Sequence, residues 1–152
     1  MNWYNKVVND IGEIPNVIDY YNQEIDKGKI EARLVGSLEK AAQDLSGIMS
    51  YRFGQLQDIE AILKWLNIKY DKLRSTHYRK YLEHYNRDLS DRSIEKYIDG
   101  EDDIVNMSCI INEVALVRNQ YLAIIKGLEA KSFNISNIVK LRTAGLEEVT
   151  LR

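Results

Sequence analysis

The sequence predicts an all-α protein: a long antiparallel helical hairpin or bundle with a coiled-coil-like seam and short terminal helices, assembled as an oligomer. Three observations predict it. One proline and eight glycines in 152 residues leave little material for the tight turns of an all-β chain. Apolar residues recur at spacings of three and four over long stretches, the period of a buried helix face. One such run, Leu56, Ile59, Leu63, Leu66, Tyr70, Leu73 and His77, alternates the two spacings without a miss, which is the pattern that keeps one stripe facing a partner helix.

Residues 1–14 read as a short helix or arm that ends in a break at Gly12 and Pro15. Pro15 starts the next helix, since its fixed φ suits the first helical turn. Val17, Ile18, Tyr21 and Ile25 then follow at helical spacing, and the pattern extends to about Leu45 through Ile30, Leu34 and Leu38. Gly28 and Gly36 each weaken that helix by about 1 kcal/mol, so a bend or poorly ordered stretch is expected there. Ser46-Gly47 punctuates the chain before the seam helix, which continues to about Asn86. Some 35 residues span roughly 50 Å, more than one small domain covers, so the seam is expected to meet another long helix, in this chain or in another copy.

The run Asn86-Arg-Asp-Leu-Ser-Asp is a turn, with Ser90 as N-cap of a short helix 91–98 closed by Asp99-Gly100. A second long helix covers about 104–130, with Ile104, Ile111, Val114, Val117, Leu122, Ile125 and Leu128 on its apolar face. Asp102 and Asp103 precede it, where the helix dipole favours acids. Ser132 or Asn134 caps a last short helix that stops at Gly145. The chain is read as one helical domain over 1–152, with an N-terminal arm to residue 45 and a hairpin core over 46–152. The seam residues together with Phe133, Ile135 and Ile138 are the expected oligomer interface.

The composition, 45 % hydrophobic and 29 % charged, excludes wholesale disorder. A single cysteine, Cys109, excludes an internal disulfide framework and a multi-thiolate zinc site. It reads as a small core residue in a reducing cytoplasm. No apolar run approaches the roughly 20 residues of a membrane span, and Met-Asn-Trp-Tyr-Asn-Lys lacks the plan of a signal peptide.

The net charge of −2 hides an asymmetry, for between Lys64 and Arg92 there are eight Lys/Arg against four Asp/Glu. Trp65, Lys69, Lys72, Thr76, Arg79, Lys80 and Arg87 fall near one side of the helix, with Tyr78, Tyr81, His84 and Tyr85 alongside. Such cations neutralise phosphates, and such rings stack on unpaired bases without regard to sequence. Lys69, Lys72, Arg79, Lys80, Tyr81, Tyr85 and Arg87 are therefore candidate nucleic-acid contacts. The alternative is that the charges are a solvated coiled-coil face and the tyrosines its rim.

No catalytic constellation stands out. The acidic knot of Asp99, Glu101, Asp102 and Asp103 lacks the alternating ligands and distal glutamate of a calcium loop. His77 and His84 lie two turns apart, too far to grip one zinc. No glycine-rich phosphate loop is present. The chain is read as a non-enzyme, with no catalytic residue, metal or cofactor.

A family comes into view in the C-terminal third. Phe133-Asn-Ile135-Ser-Asn-Ile138-Val-Lys-Leu-Arg142, followed by Gly145, resembles the end of the UvsY-type recombination mediators of large tailed phages, which close with F-x-I-x-x-I-x-x-x-R and a nearby glycine. Arg79-Lys80-Tyr81-Leu82-Glu83-His84-Tyr85 is similar to that family's basic, DNA-holding segment. Ile98-Asp-Gly-Glu-Asp-Asp103, followed by a long apolar helix, lies at nearly the family's spacing. The resemblance covers about residues 55–148. The first 50 residues have no counterpart, the glycine after Arg142 lies closer than in the family, His84 stands for an aromatic, and the glycine after the paired tyrosines is absent.

The resemblance implies a homo-oligomer of helical hairpins that binds single-stranded DNA and helps a recombinase displace a single-strand-binding protein. It implicates Lys72, Arg74, Arg79 and Lys80, with Tyr81 and Tyr85 as stacking partners, in a phage-infected bacterial cytoplasm. The competing reading is a helical structural or adaptor protein of a phage assembly, located in the virion, whose cations are tied into salt bridges with Glu113, Glu129 or the acidic knot.

Overall fold

A computed structural model describes residues 2–85 and 88–146. Among them the chain forms five α-helices and one 3-10 turn, with no strand: α1 (Trp3–Asn9), the turn Ile11–Glu13, α2 (Ile14–Glu31), α3 (Leu38–His84), α4 (Asp91–Asp99) and α5 (Asp102–Thr143). No helix among the described residues is long and apolar enough to cross a membrane.

Local chemistry sets most of the ends. The Asn2 side chain accepts from the Asn5 amide at 3.2 Å and opens α1, and Asp10 accepts from Gly12 at 2.9 Å to open the 3-10 turn. Ser90 caps α4 by accepting from the Ser93 amide at 3.3 Å. At the other end of the chain, Gly145 takes φ +72°, its amide reaches the Arg142 carbonyl, and the Leu146 amide reaches Leu141. That pair of bonds is a Schellman stop, and only glycine adopts its left-handed backbone without strain.

Three expected breaks are absent. Ser46-Gly47 lies inside α3, and Ser132 and Asn134 lie inside α5, which runs unbroken to Thr143. Gly28 does not bend α2. A Cβ built there would lie 2.8 Å from Cδ1 of Ile124, so the missing side chain lets α2 approach α5. The break falls instead at 32–37, where Gly36 adopts φ +76°.

The chain divides into two compact units rather than an arm and a core, because α2, α3 and α5 each contribute to both. The first comprises Met1–Ile18 and Asp58–Arg118, the second Asp19–Gln57 and Asn119–Arg152. Trp3, Val7, Ile14, Val17, Ile59, Ile62, Leu63, Leu66, Val114 and Val117 are buried in the first unit. At one place in it Ile94, Ile98 and Ile104 form an apolar knot against which Tyr70, Leu73, Tyr78, Tyr81 and Leu89 pack.

In the second unit Tyr21, Ile25, Leu45, Leu56, Tyr121, Ile124, Leu128 and Ile135 are buried. The apolar face of α5 thus passes through Tyr121 and Ile124, while Leu122, expected on it, is exposed. This core contains a charge network. Arg52, 1 % exposed, grips Glu31 with Nε at 2.7 Å and Nη2 at 2.8 Å, and its Nη1 reaches Glu24 and Gln55 at 2.9 Å each. Tyr121 donates to Gln55 at 3.1 Å. Burial pushes the Glu24 carboxyl upward, but hydrogen bonds from Lys27, Gln55 and Arg52 prevail and hold it down at about 2.

The seam changes meaning in this setting. Leu56, Ile59, Leu63 and Leu66 are nearly or fully buried within the single chain, and Tyr70, Leu73 and His77 are half-buried. Covering the seam therefore requires no second copy, contrary to the reasoning that made these residues an oligomer interface. Of the C-terminal anchors, Ile135 is buried and Ile138 half-buried, but Phe133 is 72 % exposed.

Candidate nucleic-acid interface

Lys69, Lys72, Arg74, Arg79, Lys80 and Tyr81 lie on the last turns of α3, and Tyr85 directly follows its end, all within the first unit. One side of this stretch faces α4 and the start of α5, and the acids there select which basic residues are neutralised. Arg74 donates through Nη1 to Asp99 at 2.7 Å and to the Tyr70 hydroxyl at 3.2 Å, and through Nη2 to Glu95. The bond to Asp99, outweighing partial burial, holds its guanidinium even more firmly charged than usual. Arg74, expected to contact phosphate, is instead a structural clamp between α3 and α4. Its partners lie 21 and 25 residues downstream, beyond any reading of local spacing.

His77 is held in the same way. Its Nε2 sits 2.8 and 2.9 Å from the two Asp103 oxygens, and its Nδ1 is 3.8 Å from Glu101 Oε1. The His77 hydrogen bond lowers the Asp103 carboxyl below its usual range. Tyr81 donates to Glu101 at 2.6 Å and is pushed up to about 12 by that bond, and Tyr78 donates to Asp91 at 2.8 Å. The acidic knot thus docks the α4–α5 junction onto α3. His77, Glu101 and Asp103 bring three ligand-type atoms within 4.8 Å of one another, a grouping that spacing within one helix did not reveal. The positive end of the α5 dipole opposes a cation there, and the histidine already uses both Asp103 oxygens.

On the opposite side the cations are left over. Lys69, Lys72, Arg79 and Lys80 are exposed, and the side chains of Lys72, Arg79 and Lys80 make no hydrogen bond or ion pair among the described residues. The Lys69 ammonium lies 5.2 Å from the centroid of the Trp65 ring. Lys72 and Arg79 are two turns apart on one face, about 10 Å along the axis. Arg87 lies outside the described residues.

At the end of this stripe three rings gather. Tyr81 stacks on Tyr97 at 5.7 Å and 18°, and tilts against Tyr85 at 5.4 Å and 39°. Tyr85 and Tyr97 are 6.4 Å apart at 25°. Tyr85 is 53 % and Tyr97 50 % exposed, so the cluster presents ring surface to solvent beside Lys80 and His84, where a cleft of about 200 Å³ opens. Tyr97 escaped the sequence reading. Its signal was available: α4 buries Ile94 and Ile98, and Tyr97 is a large aromatic on the outside of that short helix.

Cys109, expected in the core, is exposed, because it falls opposite the face carrying Ile104 and Val114. The arrangement can do two physical things, which are to neutralise a polyanion along α3 and to offer aromatic faces at one end of it. Comparison with protein-family models, with curated proteins and with solved structures returns no match, so the resemblance to UvsY-type mediators rests on the residues quoted for it alone.

Proposed function

We propose that the chain is a non-enzymatic single-stranded DNA-binding protein of the recombination-mediator kind, which acts as a homo-oligomer and helps load a strand-exchange recombinase in place of a single-strand-binding protein. One observation carries the DNA-binding part. Lys72, Arg79 and Lys80 are exposed and unpaired among the described residues, although four carboxylates lie within reach of the same helix and neutralise only its inner side. Arg79 and Lys80 lie seven and eight residues beyond Lys72, two turns along α3, so a polyanion laid along the helix meets all three.

The ring cluster of Tyr81, Tyr85 and Tyr97 supports a strand with unpaired bases over a duplex, whose stacked bases have no free faces to offer. Recombinase loading rests on the resemblance. Self-association draws on it too, and on the bare Phe133, Leu141 and Leu146 near the C-terminus. The adaptor reading requires Lys72, Arg79 and Lys80 to be tied to acids of a neighbouring helix, and among the described residues none of the three is in an ion pair.

The test is titration of a fluorescent oligonucleotide, single-stranded and then duplex, at two salt concentrations. Preference for the single strand, weakened by salt, is the expected result. Equal weak binding to both, or none, would leave the adaptor.

A further inference from the structure

A second feature of the first unit lies upstream of the ring cluster. Val8 of α1 and Ile11 of the 3-10 turn stand across from Leu73 of α3 and Met107 of α5, and between them opens a cleft of about 390 Å³. Its lining is largely apolar. Trp65 forms part of the wall, and Lys69 and Lys72 stand one turn apart on α3 at the rim. Among the described residues no carboxylate lines it. Val8 and Ile11 are each 39 % exposed, so two branched side chains on ordered backbone are held half in water.

We propose that this cleft is a docking site for an acidic segment of a protein partner, one that inserts an aromatic or branched aliphatic side chain and lays carboxylates against Lys69 and Lys72. The volume suits one or two bulky side chains, and an aromatic anchor in such a pocket dominates the affinity of short peptide contacts. The charge complementarity is specific. Both rim residues are cations, neither has an acidic partner among the described residues, and a basic or neutral segment gains nothing from them. The cleft is open to the surface rather than enclosed, which seats a side chain from a segment lying across it better than a long acyl tail.

Lys69 and Lys72 also belong to the proposed DNA stripe, so an acidic segment and a single strand compete for them. Met107 belongs to the cleft alone, and this separates the two ideas.

The experiment uses the full chain and a synthetic peptide with a central Phe-Leu pair flanked by Glu and Asp, read by Trp65 fluorescence. Trp3 is buried and supplies a steady background. Binding on the order of micromolar is expected, with a loss of about tenfold or more when the peptide's Phe is replaced by Ala. Met107→Gln, which adds no charge beside Lys69 and Lys72, should weaken peptide binding by about tenfold or more and leave oligonucleotide affinity in place, whereas Met107→Leu should preserve both. Should Met107→Gln fail to fold, Lys69→Ala with Lys72→Ala, both on exposed helix surface, should weaken the peptide and flatten its salt dependence. The proposal is overturned if a Lys-flanked peptide binds as tightly, if no peptide binds, or if decanoate alone occupies the cleft. Loss of DNA binding with retained peptide binding would instead count against the proposed function.

Discussion

Replacing Arg52 with methionine tests the charged core of the second unit. The guanidinium makes four hydrogen bonds, two to Glu31 and one each to Glu24 and Gln55. Methionine fills much of the volume but leaves the acids unmatched. Removing one partner of a buried ion pair costs about 3–5 kcal/mol. The lower end applies here, because Glu24 keeps Lys27 at 2.6 Å and Gln55 at 3.0 Å, and Glu31 is part-exposed and can turn to water. Arg52→Met should therefore lower the unfolding free energy by about 3 kcal/mol in urea titration followed by circular dichroism. Arg52→Lys should fall between, since a single ammonium cannot reproduce the fork.

The acid dependence supplies an independent check. Glu24 is held from 4.5 down to about 2 in the folded chain. A carboxyl depressed by folding stabilises above its unfolded value and loses that contribution as pH falls toward the folded one. A shift of this size corresponds to about 3 kcal/mol, lost between pH 4.5 and 2. Arg52→Met removes part of the cause, so its stability should fall less steeply in acid than that of the wild type. An unchanged urea midpoint, or an acid profile parallel to the wild type, would refute the network as a source of stability.

Two glycines in helices should respond oppositely. Gly28→Val drives a side chain into Ile124 and should cost about 1–3 kcal/mol, whereas Gly54→Ala, with nothing within 4 Å, should stabilise by about 0.5–1 kcal/mol in the same urea assay. Phe133→Ser should lower the mass found by light scattering while leaving the helical circular-dichroism signal in place, because the ring is 72 % exposed and packs into no core of its own chain. Leu66→Asp, at 0 % exposure within the chain, should unfold the protein rather than dissociate it. Tyr97→Ala should weaken oligonucleotide affinity by about 1–3 kcal/mol with little change in its salt slope, if ring faces meet bases.

Much of the helical layout was legible in residue spacing. The Ser90 cap, the seam as a buried stripe and the stop at Gly145 all depend on interactions within one or two turns. What was not legible depended on partners far along the chain. Ser46-Gly47 and Ser132 resemble helix boundaries, yet a serine caps only where the backbone leaves the helix, and packing keeps it helical there. Gly28 reads as a weakness until Ile124 is placed beside it.

The basic stripe shows the same limit. Spacing put Lys72, Arg79 and Lys80 near one side of the helix and the resemblance added Arg74, whose clamping by Glu95 and Asp99 appears only when those acids are placed beside it. The seam misled in a different way. A heptad pattern states that a stripe is covered, but not whether the cover belongs to the same chain.

The most direct measurement is the salt slope of single-strand affinity for wild type, for Arg79→Ala with Lys80→Ala, and for Arg74→Ala. Each phosphate contact contributes about −0.7 to the slope of log affinity against log salt. The account predicts a salt-weakened wild-type complex and a slope flatter by roughly one to two units in the double variant. Arg74→Ala, whose side chain is already paired with Glu95 and Asp99, should lower stability and leave the slope unchanged. A slope that flattened with Arg74→Ala and not with the double variant, or a wild type without affinity at low salt, would contradict it.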